Sequence, residues 1–347
     1  MENKNEPILS VENLRVGFTT YAGEVQAVRG VSWHLNRKET IAIVGESGCG
    51  KTVSIQTAMG LLAKPAGHIT EGRIIFEGRD ITNLPAKEMR KIQGDSMSMI
   101  FQDPLTYLNP TKRVGKQIAE GYIKHHPGVD KKEMEKRVIE FMKKVSLPNP
   151  EENIRRFPHQ LSGGMRQRVM VAMALISEPK ILFADEPTTA LDVTIQAQII
   201  DLMKNLKDEI DSSIVLITHD LGVVANLSDR VYVMYAGQIM EHADIYTIFR
   251  NPRHPYTIGL LRSVPRLDVD EQQDLAFIPG SPPDLLAPPK GCAFAERCPY
   301  AMNICREEQP PYTDFAEEGH YAACWLNDPA CQAKWGDLLA KKEFGDE

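Results

Sequence analysis

Gly45-Glu46-Ser47-Gly48-Cys49-Gly50-Lys51-Thr52 is the stretch on which the reading of this chain turns. It follows a short apolar run, Ile41-Ala42-Ile43-Val44, and leads into residues 53–62, whose pattern predicts a helix. Strand, glycine-rich turn and helix, with Lys-Thr at the helix start, is the setting of a phosphate-binding loop. The glycines let the backbone turn tightly and aim successive N–H groups at one anion. The helix start adds its positive end, and Lys51 adds a full charge that reaches outer phosphates. Thr52 offers a hydroxyl to a Mg²⁺ ion that bridges those phosphates. An accidental glycine turn needs neither the strand before it nor the helix after it. These residues predict a nucleotide site.

The rest of the composition bounds what such a site serves. The chain has 347 residues, 42% apolar and 25% charged, enough for one large core with an appendage or for two modest domains. A net charge of −7 argues against broad nucleic-acid binding, which shows as a basic patch or basic pI. The longest apolar run near the middle, residues 169–176, is far too short to span a bilayer. The start, Met1-Glu2-Asn3-Lys4-Asn5-Glu6-Pro7, lacks the apolar segment of a secretory signal. The expectation is a cytoplasmic protein that touches membrane only through a partner. Cys49 sits in the phosphate loop, and the other five cysteines fall between 292 and 331. In a reducing compartment that cluster reads as metal ligands rather than disulfides.

Before the loop, residues 8–18 and 24–36 alternate apolar and polar around Tyr21-Ala22-Gly23, which predicts strand, turn, strand. Phe18 and Tyr21 either stack on a purine or pack on that sheet. After the loop, residues 71–80 read as an antiparallel strand pair, and Met97-Ser98-Met99-Ile100-Phe101 as a strand ending at Gln102. Residues 105–147 turn helical and charge-rich. Residues 131–144 predict a solvated helix with a buried stripe of Met134, Val138, Ile139 and Met142. Prolines 148, 150 and 158 close this inserted helical subdomain.

Chemistry resumes at Leu161-Ser162-Gly163-Gly164-Met165-Arg166-Gln167, where Ser162 is a natural N-cap for an apolar helix. That helix start is a second place for phosphate oxygens, although Ser-Gly-Gly alone would mean only a capped helix. Ile181-Leu182-Phe183-Ala184-Asp185-Glu186-Pro187 reads as a buried strand ending in two carboxylates. Side chains alternate along a strand, so Asp185 and Glu186 have separate tasks: Asp185 suits Mg²⁺ and Glu186 an attacking water. Thr188-Thr189-Ala190-Leu191-Asp192 precedes an amphipathic helix at 193–207, and an apolar strand at 213–218 ends at His219-Asp220. Gly45, Asp185 and Thr218 are then expected at the C-terminal edge of one parallel sheet, where ligands bind in open α/β folds.

Over residues 8 to about 250, this set resembles the ATPase subunit of an ABC transporter. Five motifs stand in that family's order: the phosphate loop, Gln102, Leu161-Ser162-Gly163-Gly164, Asp185-Glu186 and His219. The resemblance implies a P-loop NTPase of α/β class with an antiparallel β subdomain, a helical subdomain and a loop-rich, cysteine-containing C-terminal extension. It implies a nucleotide-binding domain over 1–250, its helical subdomain at about 86–165, and the extension over 251–347. Gly45, Ser47, Gly48, Cys49, Gly50, Lys51 and Thr52 then hold ATP, with Phe18 stacking on adenine and Tyr21 as the alternative. Thr52, Gln102 and Asp185 form the Mg²⁺ set. Glu186 is implied as general base, His219 as the switch on the γ-phosphate, and Gln102 also as the lever to a membrane partner. Ser162, Gly163 and Gly164 would act across a dimer on the partner's ATP, and Asp192 matches the dimer-contact loop. Two positions depart from the usual pattern. Met165 stands where many members carry Gln, and Cys49 replaces a small polar residue, where positive potential would favour a reactive thiolate.

The C-terminal third resembles the oligopeptide/dipeptide importer branch through His254-Pro255-Tyr256-Thr257, Ser263-Val264-Pro265-Arg266-Leu267, Ile278-Pro279-Gly280-Ser281-Pro282-Pro283 and Gly291-Cys292. Eight of 23 prolines lie between 279 and 311, so loops with little regular structure are expected there. Cys292, Cys298, Cys305 and Cys324 lack the C-x-x-C hairpin usual in zinc ribbons. Four cysteines can ligate a [4Fe–4S] cluster, which the branch implies, and Zn²⁺ is the alternative. His320 is a substitute ligand candidate and Cys331 a spare.

The resemblance thus implies an ATPase that energises peptide import, paired with a paralogous subunit, a homodimer being the alternative. Two membrane-spanning permeases, and indirectly an extracytoplasmic solute-binding protein, complete the partners, with the chain peripheral on the cytoplasmic face of the membrane. Nickel-chelate or glutathione import fits the same residues. A soluble ABC ATPase acting on nucleic acid or ribosomes is the rival class. It is disfavoured because DNA-repair members insert a long coiled coil and ribosomal members carry two ATPase units.

Overall fold

The computed structural model describes residues 7–188, 192–263, 277–315 and 319–335. Strands among them are β1 (Leu9–Thr20), β2 (Gly23–Leu35), β3 (Thr40–Val44), β4 (Gly67–Phe76), β5 (Arg79–Asp80) and β6 (Met97–Ile100). These are followed by β7 (Ile181–Asp185), β8 (Ser213–Ile217), β9 (Arg230–Tyr235), β10 (Gln238–Asp244), β11 (Tyr312–Phe315) and β12 (His320–Ala323). The chain forms two compact units, one chiefly of Leu35–Thr40 and Phe76–Thr218, the other of Ser10–His34, Ile41–Ile75 and the described residues from His219 on.

In the first unit, β7 lies between β6 and β8 and pairs parallel with both, Met97 opposite Ile181 and Asp185 opposite Ile217. Every residue of β6, β7 and β8 is buried, as expected of short, predominantly apolar strands in a parallel sheet. The helical subdomain, an arm inserted after β6, includes Val114–His125 and Lys131–Lys144. Asp130 caps the latter by accepting from the N–H groups of Lys132 and Glu133. Its buried stripe is Met134, Val138, Phe141 and Met142. Phe141 thus takes the place expected of Ile139, because steps of four, three and one keep the stripe on one helical face. The same unit holds the turn Glu77-Gly78, with φ of 47° and 75°. Two successive left-handed residues suit a two-residue hairpin turn, and β5 follows it.

In the second unit, β3 pairs parallel with β9, and β9, β10, β12 and β11 continue in that order by antiparallel pairing. β1 and β2 are neighbours joined by Tyr21-Ala22, a link too short for any but an antiparallel pair, and β4 lies on the other side of β1. β4 starts at Gly67, four residues before the expected strand. Between 279 and 311 the described residues include one regular element, the short helix Asn303–Glu307, in keeping with the proline-rich reading. The β11–β12 hairpin was not foreseen, since strands of four residues carry too little periodicity to be read. Among the described residues no helix is long and apolar enough to cross a membrane.

His242 on β10 lies between the rings of Tyr232 and Tyr321, at centroid distances of 4.9 and 4.7 Å. Burial, reinforced by the charges of Arg230, His34 and His320, pushes its pKa down to about 3. A histidine depressed in the folded state takes up its proton mainly on unfolding. Its contribution is therefore present above pH 6.5 and is lost as pH falls towards 3, by roughly 1.4 kcal/mol per unit. Between pH 7.5 and 5, urea denaturation should show the wild type losing about 2 kcal/mol more than His242→Phe. Equal losses in the two proteins would contradict this assignment.

Candidate active site

The phosphate loop leaves β3 at Gly45 (φ 148°) and passes Gly48 (φ 78°) and Gly50 (φ 97°) before entering the helix Lys51–Ala58. That helix begins two residues before the expected stretch, with Gly50 as its left-handed cap. Gly45 and Gly50 are forced: a Cβ on the first would strike the Met234 carbonyl, and one on the second the Ala27 carbonyl. Lys51 is 6% exposed, and its ammonium donates to the carbonyls of Gly45 (2.8 Å) and Glu46 (2.9 Å). Ser47 and Gly48 lie exposed at the crest and Thr52 is half-buried at the helix start. Ser54, one turn in, accepts from Trp33 Nε1 at 3.0 Å and fixes the helix to β2.

Cys49 corrects the sequence reading. Its thiol is buried, and burial raises its pKa further than the neighbouring Lys51 ammonium lowers it. A reactive thiolate is thus not what the loop holds. Phe18 is half-buried, with its ring against Gly67, whereas Tyr21 is fully exposed between β1 and β2.

In the first unit, Asp185 ends β7, 6% exposed, beside the C-terminal end of β8. Glu186 follows in a left-handed conformation (φ 46°), with its N–H bonded to the Ile217 carbonyl at 2.8 Å. Gln102, just past β6, donates through Nε2 to Glu186 Oε2 at 2.8 Å. The parallel register of β6 and β7 brings these two together although 84 positions separate them. A non-glycine residue at positive φ costs about 1–3 kcal/mol and marks a carboxylate whose direction is imposed by its surroundings. Ser162 caps the helix Gly163–Leu175 by accepting from the Met165 N–H, and Gly164 lies against Ile195. Gln167, in that helix, is fully buried and donates to the Pro187 carbonyl, tying the helix Gly163–Leu175 to the segment after Glu186. The sequence reading did not assign Gln167 a task; a polar residue inside an apolar helical run was the available signal.

Asp192 caps the helix Val193–Ile210 by accepting from Ile195 N–H at 2.9 Å, while Thr189, Ala190 and Leu191 lie outside the described residues. His219 belongs to the second unit and is exposed, and Asp220 caps the helix Leu221–Leu227.

Cys292, Cys298, Cys305 and Cys324 all line one small cavity, walled also by Phe294, Ala295, Pro255 and Leu326. None of the six cysteines is in a disulfide. Burial lifts Cys292 to about 11 and Cys324 well above the ordinary range, so both are protonated thiols. As they stand, no three His, Cys, Asp or Glu side chains among the described residues are arranged to hold a metal ion. The donor set itself, four thiols on one apolar cavity, fits an iron–sulfur cluster or zinc. His320 does not belong with them: its Nε2 pairs at 2.8 Å with buried Glu241 of β10, correcting its reading as a ligand. Cys331 is not part of that lining: it packs against Met302 beside the apolar cluster of Ile258 and Leu326.

Residues 28–189 match a family model described as ABC transporter, and residues 240–305 one described as oligopeptide/dipeptide transporter, C-terminal region. The oligopeptide transport ATP-binding protein OppD of Bacillus subtilis is 55% identical over 93% of this chain and 89% of its own length. The dipeptide transport ATP-binding protein DppD of Lactococcus lactis is 54% identical over 93% of this chain and 92% of its own. The ATP-binding cassette MJ0796, solved as a dimer in a post-hydrolysis state with ADP and Pi, superposes with a TM-score of 0.62. It is 26% identical and covers 68% of this chain and 98% of that one. This chain belongs to the ATP-binding subunits of ABC transporters, in the group that includes the oligopeptide and dipeptide transport proteins.

Proposed function

We propose that this chain is the ATP-hydrolysing subunit of an importer for di- or oligopeptides, peripheral on the cytoplasmic face of the cell membrane. The observation that carries the reading is that likeness runs through both segments, the ATPase part and the oligopeptide/dipeptide C-terminal region. Relatives named for oligopeptide and dipeptide transport match along 93% of the chain. Two chains, this one and a paralogue, close on two ATP molecules; the dimeric cassette with ADP and Pi supports the pairing of two such subunits. Closure supplies a state with higher affinity for triphosphate than for diphosphate, and hydrolysis releases it. Two permease subunits convert the motion into passage of peptide delivered by a solute-binding protein.

Each residue then has a task. Lys51 and the loop N–H groups take the phosphates, and Thr52 and Asp185 hold Mg²⁺, with Gln102 as a further ligand. Such an ion would neutralise charge on the phosphates. Glu186 orients water and removes its proton, and its bond to Gln102 ties the base to the start of the helical arm. His219 meets the γ-phosphate, Ser162, Gly163 and Gly164 serve the partner's nucleotide, and Asp192 serves the dimer contact. Phe18 stacks on adenine.

Cys292, Cys298, Cys305 and Cys324 hold a [4Fe–4S] cluster, with Zn²⁺ as the alternative. Their common cavity supports this, and the cluster would supply a covalent tie among loops with little regular structure. Because Cys292 and Cys324 are held protonated by burial, loading requires proton release and weakens at low pH.

In the assembled transporter, Glu186→Gln should cut ATP turnover by about 10²–10⁴ and leave ATP binding intact. Turnover at the wild-type rate would remove Glu186 from the role of base. For the cluster, anaerobically purified protein should show visible absorption and about four iron atoms per chain, lost on replacing Cys298 and Cys305 with Ser. One zinc per chain, or no metal at all, would contradict the iron–sulfur assignment.

A further inference from the structure

Glu46 places a carboxylate second in a loop whose neighbours bind anions. Unpaired, it would repel a triphosphate. Arg297 takes it with a two-pronged grip, Nη1 to Oε2 at 2.6 Å and Nη2 to Oε1 at 2.9 Å. The Arg297 side chain is 6% exposed, and three further acceptors fix it: the carbonyls of Pro279 (2.9 Å) and Ile278 (3.0 Å) and the Tyr235 hydroxyl (3.2 Å). Such a guanidinium is a rigid fork rather than a mobile counter-charge.

The same loop residue is held at its backbone. Its N–H donates to the Tyr256 hydroxyl at 2.9 Å, and its carbonyl accepts from the Lys51 ammonium at 2.9 Å. Tyr256 is fully buried, its ring packed on Tyr235 and Phe294. Arg297 and Phe294 lie on the segment from Cys292 to Cys298, whose two end thiols face the four-cysteine cavity. All these groups belong to one compact unit.

We propose that Arg297 is a positioning residue of the nucleotide site: by clamping and neutralising Glu46 it sets the phosphate loop, so that affinity for ATP depends on the cysteine-bearing C-terminal segment. The inference rests on the ATPase reading and adds to it a support supplied from outside the ATPase motifs. Two effects act together. Charge cancellation removes a repulsion from the triphosphate, and the fixed fork holds the carbonyl that Lys51 uses.

The test is the Kd for ATP–Mg of the full-length chain, purified anaerobically, in wild type, Arg297→Ala, Arg297→Lys, Glu46→Gln and the double variant Arg297→Ala/Glu46→Gln. Removing the guanidinium should raise Kd roughly tenfold, the effect of one uncancelled charge nearby, and the double variant should recover most of that loss. Arg297→Lys, which keeps charge but loses the fork, should fall between wild type and Arg297→Ala. In the assembled transporter KM should follow Kd, with kcat at saturating ATP within about twofold of wild type. A merely structural arginine would lower the melting temperature without rescue by Glu46→Gln, and that result overturns the proposal. If Arg297→Ala does not fold, an Arg297→Lys Kd equal to wild type does the same. Wild type that fails to bind ATP–Mg sinks the ATPase reading itself, whereas wild-type binding with an unchanged Arg297→Ala sinks only this inference.

Discussion

A buried ammonium is the constraint on which the nucleotide site depends. Lys51 is nearly out of solvent, and a charge in that position is tolerated only when its hydrogen-bond donors are met. The Gly45 and Glu46 carbonyls meet them, which requires the loop to double back over the helix start. That path brings Gly45 and Gly50 so close to the Met234 and Ala27 carbonyls that no larger residue fits. Glycine content, left-handed φ and the lysine are therefore one requirement. A triphosphate would offer the same ammonium stronger acceptors, so the group that closes the loop on itself is the one proposed to receive the phosphates.

The first unit solves a different problem, the aim of a single carboxylate. Glu186 is pinned by an imposed backbone conformation, by its N–H on β8 and by Gln102 on its side chain. Gln167 secures the next residue from the helix Gly163–Leu175. In the role of base proposed for Glu186, a carboxylate held this way would lose little freedom when water arrives, which is how a fixed geometry lowers a barrier. The described part of the C-terminal region is likewise built in: β12 pairs with β10, and the Gln26 N–H donates to the Leu285 carbonyl at 2.9 Å.

What could be read in advance was what neighbours in sequence decide. The strand–loop–helix around Lys51, the caps at Ser162 and the buried run into Asp185 all rest on residues a few positions apart. The stripe of the charged helix was nearly right, missing Phe141 by choosing the β-branched residue two positions before it. What could not be read depends on distant pairs. His320 stands in the sequence as a candidate substitute ligand because Glu241, 79 positions earlier, gives no local sign that it claims the ring. Arg297 and Glu46 are 251 positions apart. Cys49 misled for another reason: its neighbours advertise positive potential, but thiolate character depends on solvent as well as charge, and burial outweighs Lys51 there.

The central claim, that this chain engages ATP through the loop closed by Lys51, is tested most directly by calorimetric titration of the purified protein with ATP–Mg beside Lys51→Ala. The account predicts saturable binding by the wild type and an affinity reduced at least about tenfold in the variant, since one of the strongest charge-assisted bonds to phosphate is gone. Equal binding by the two proteins, or none by either, would contradict it.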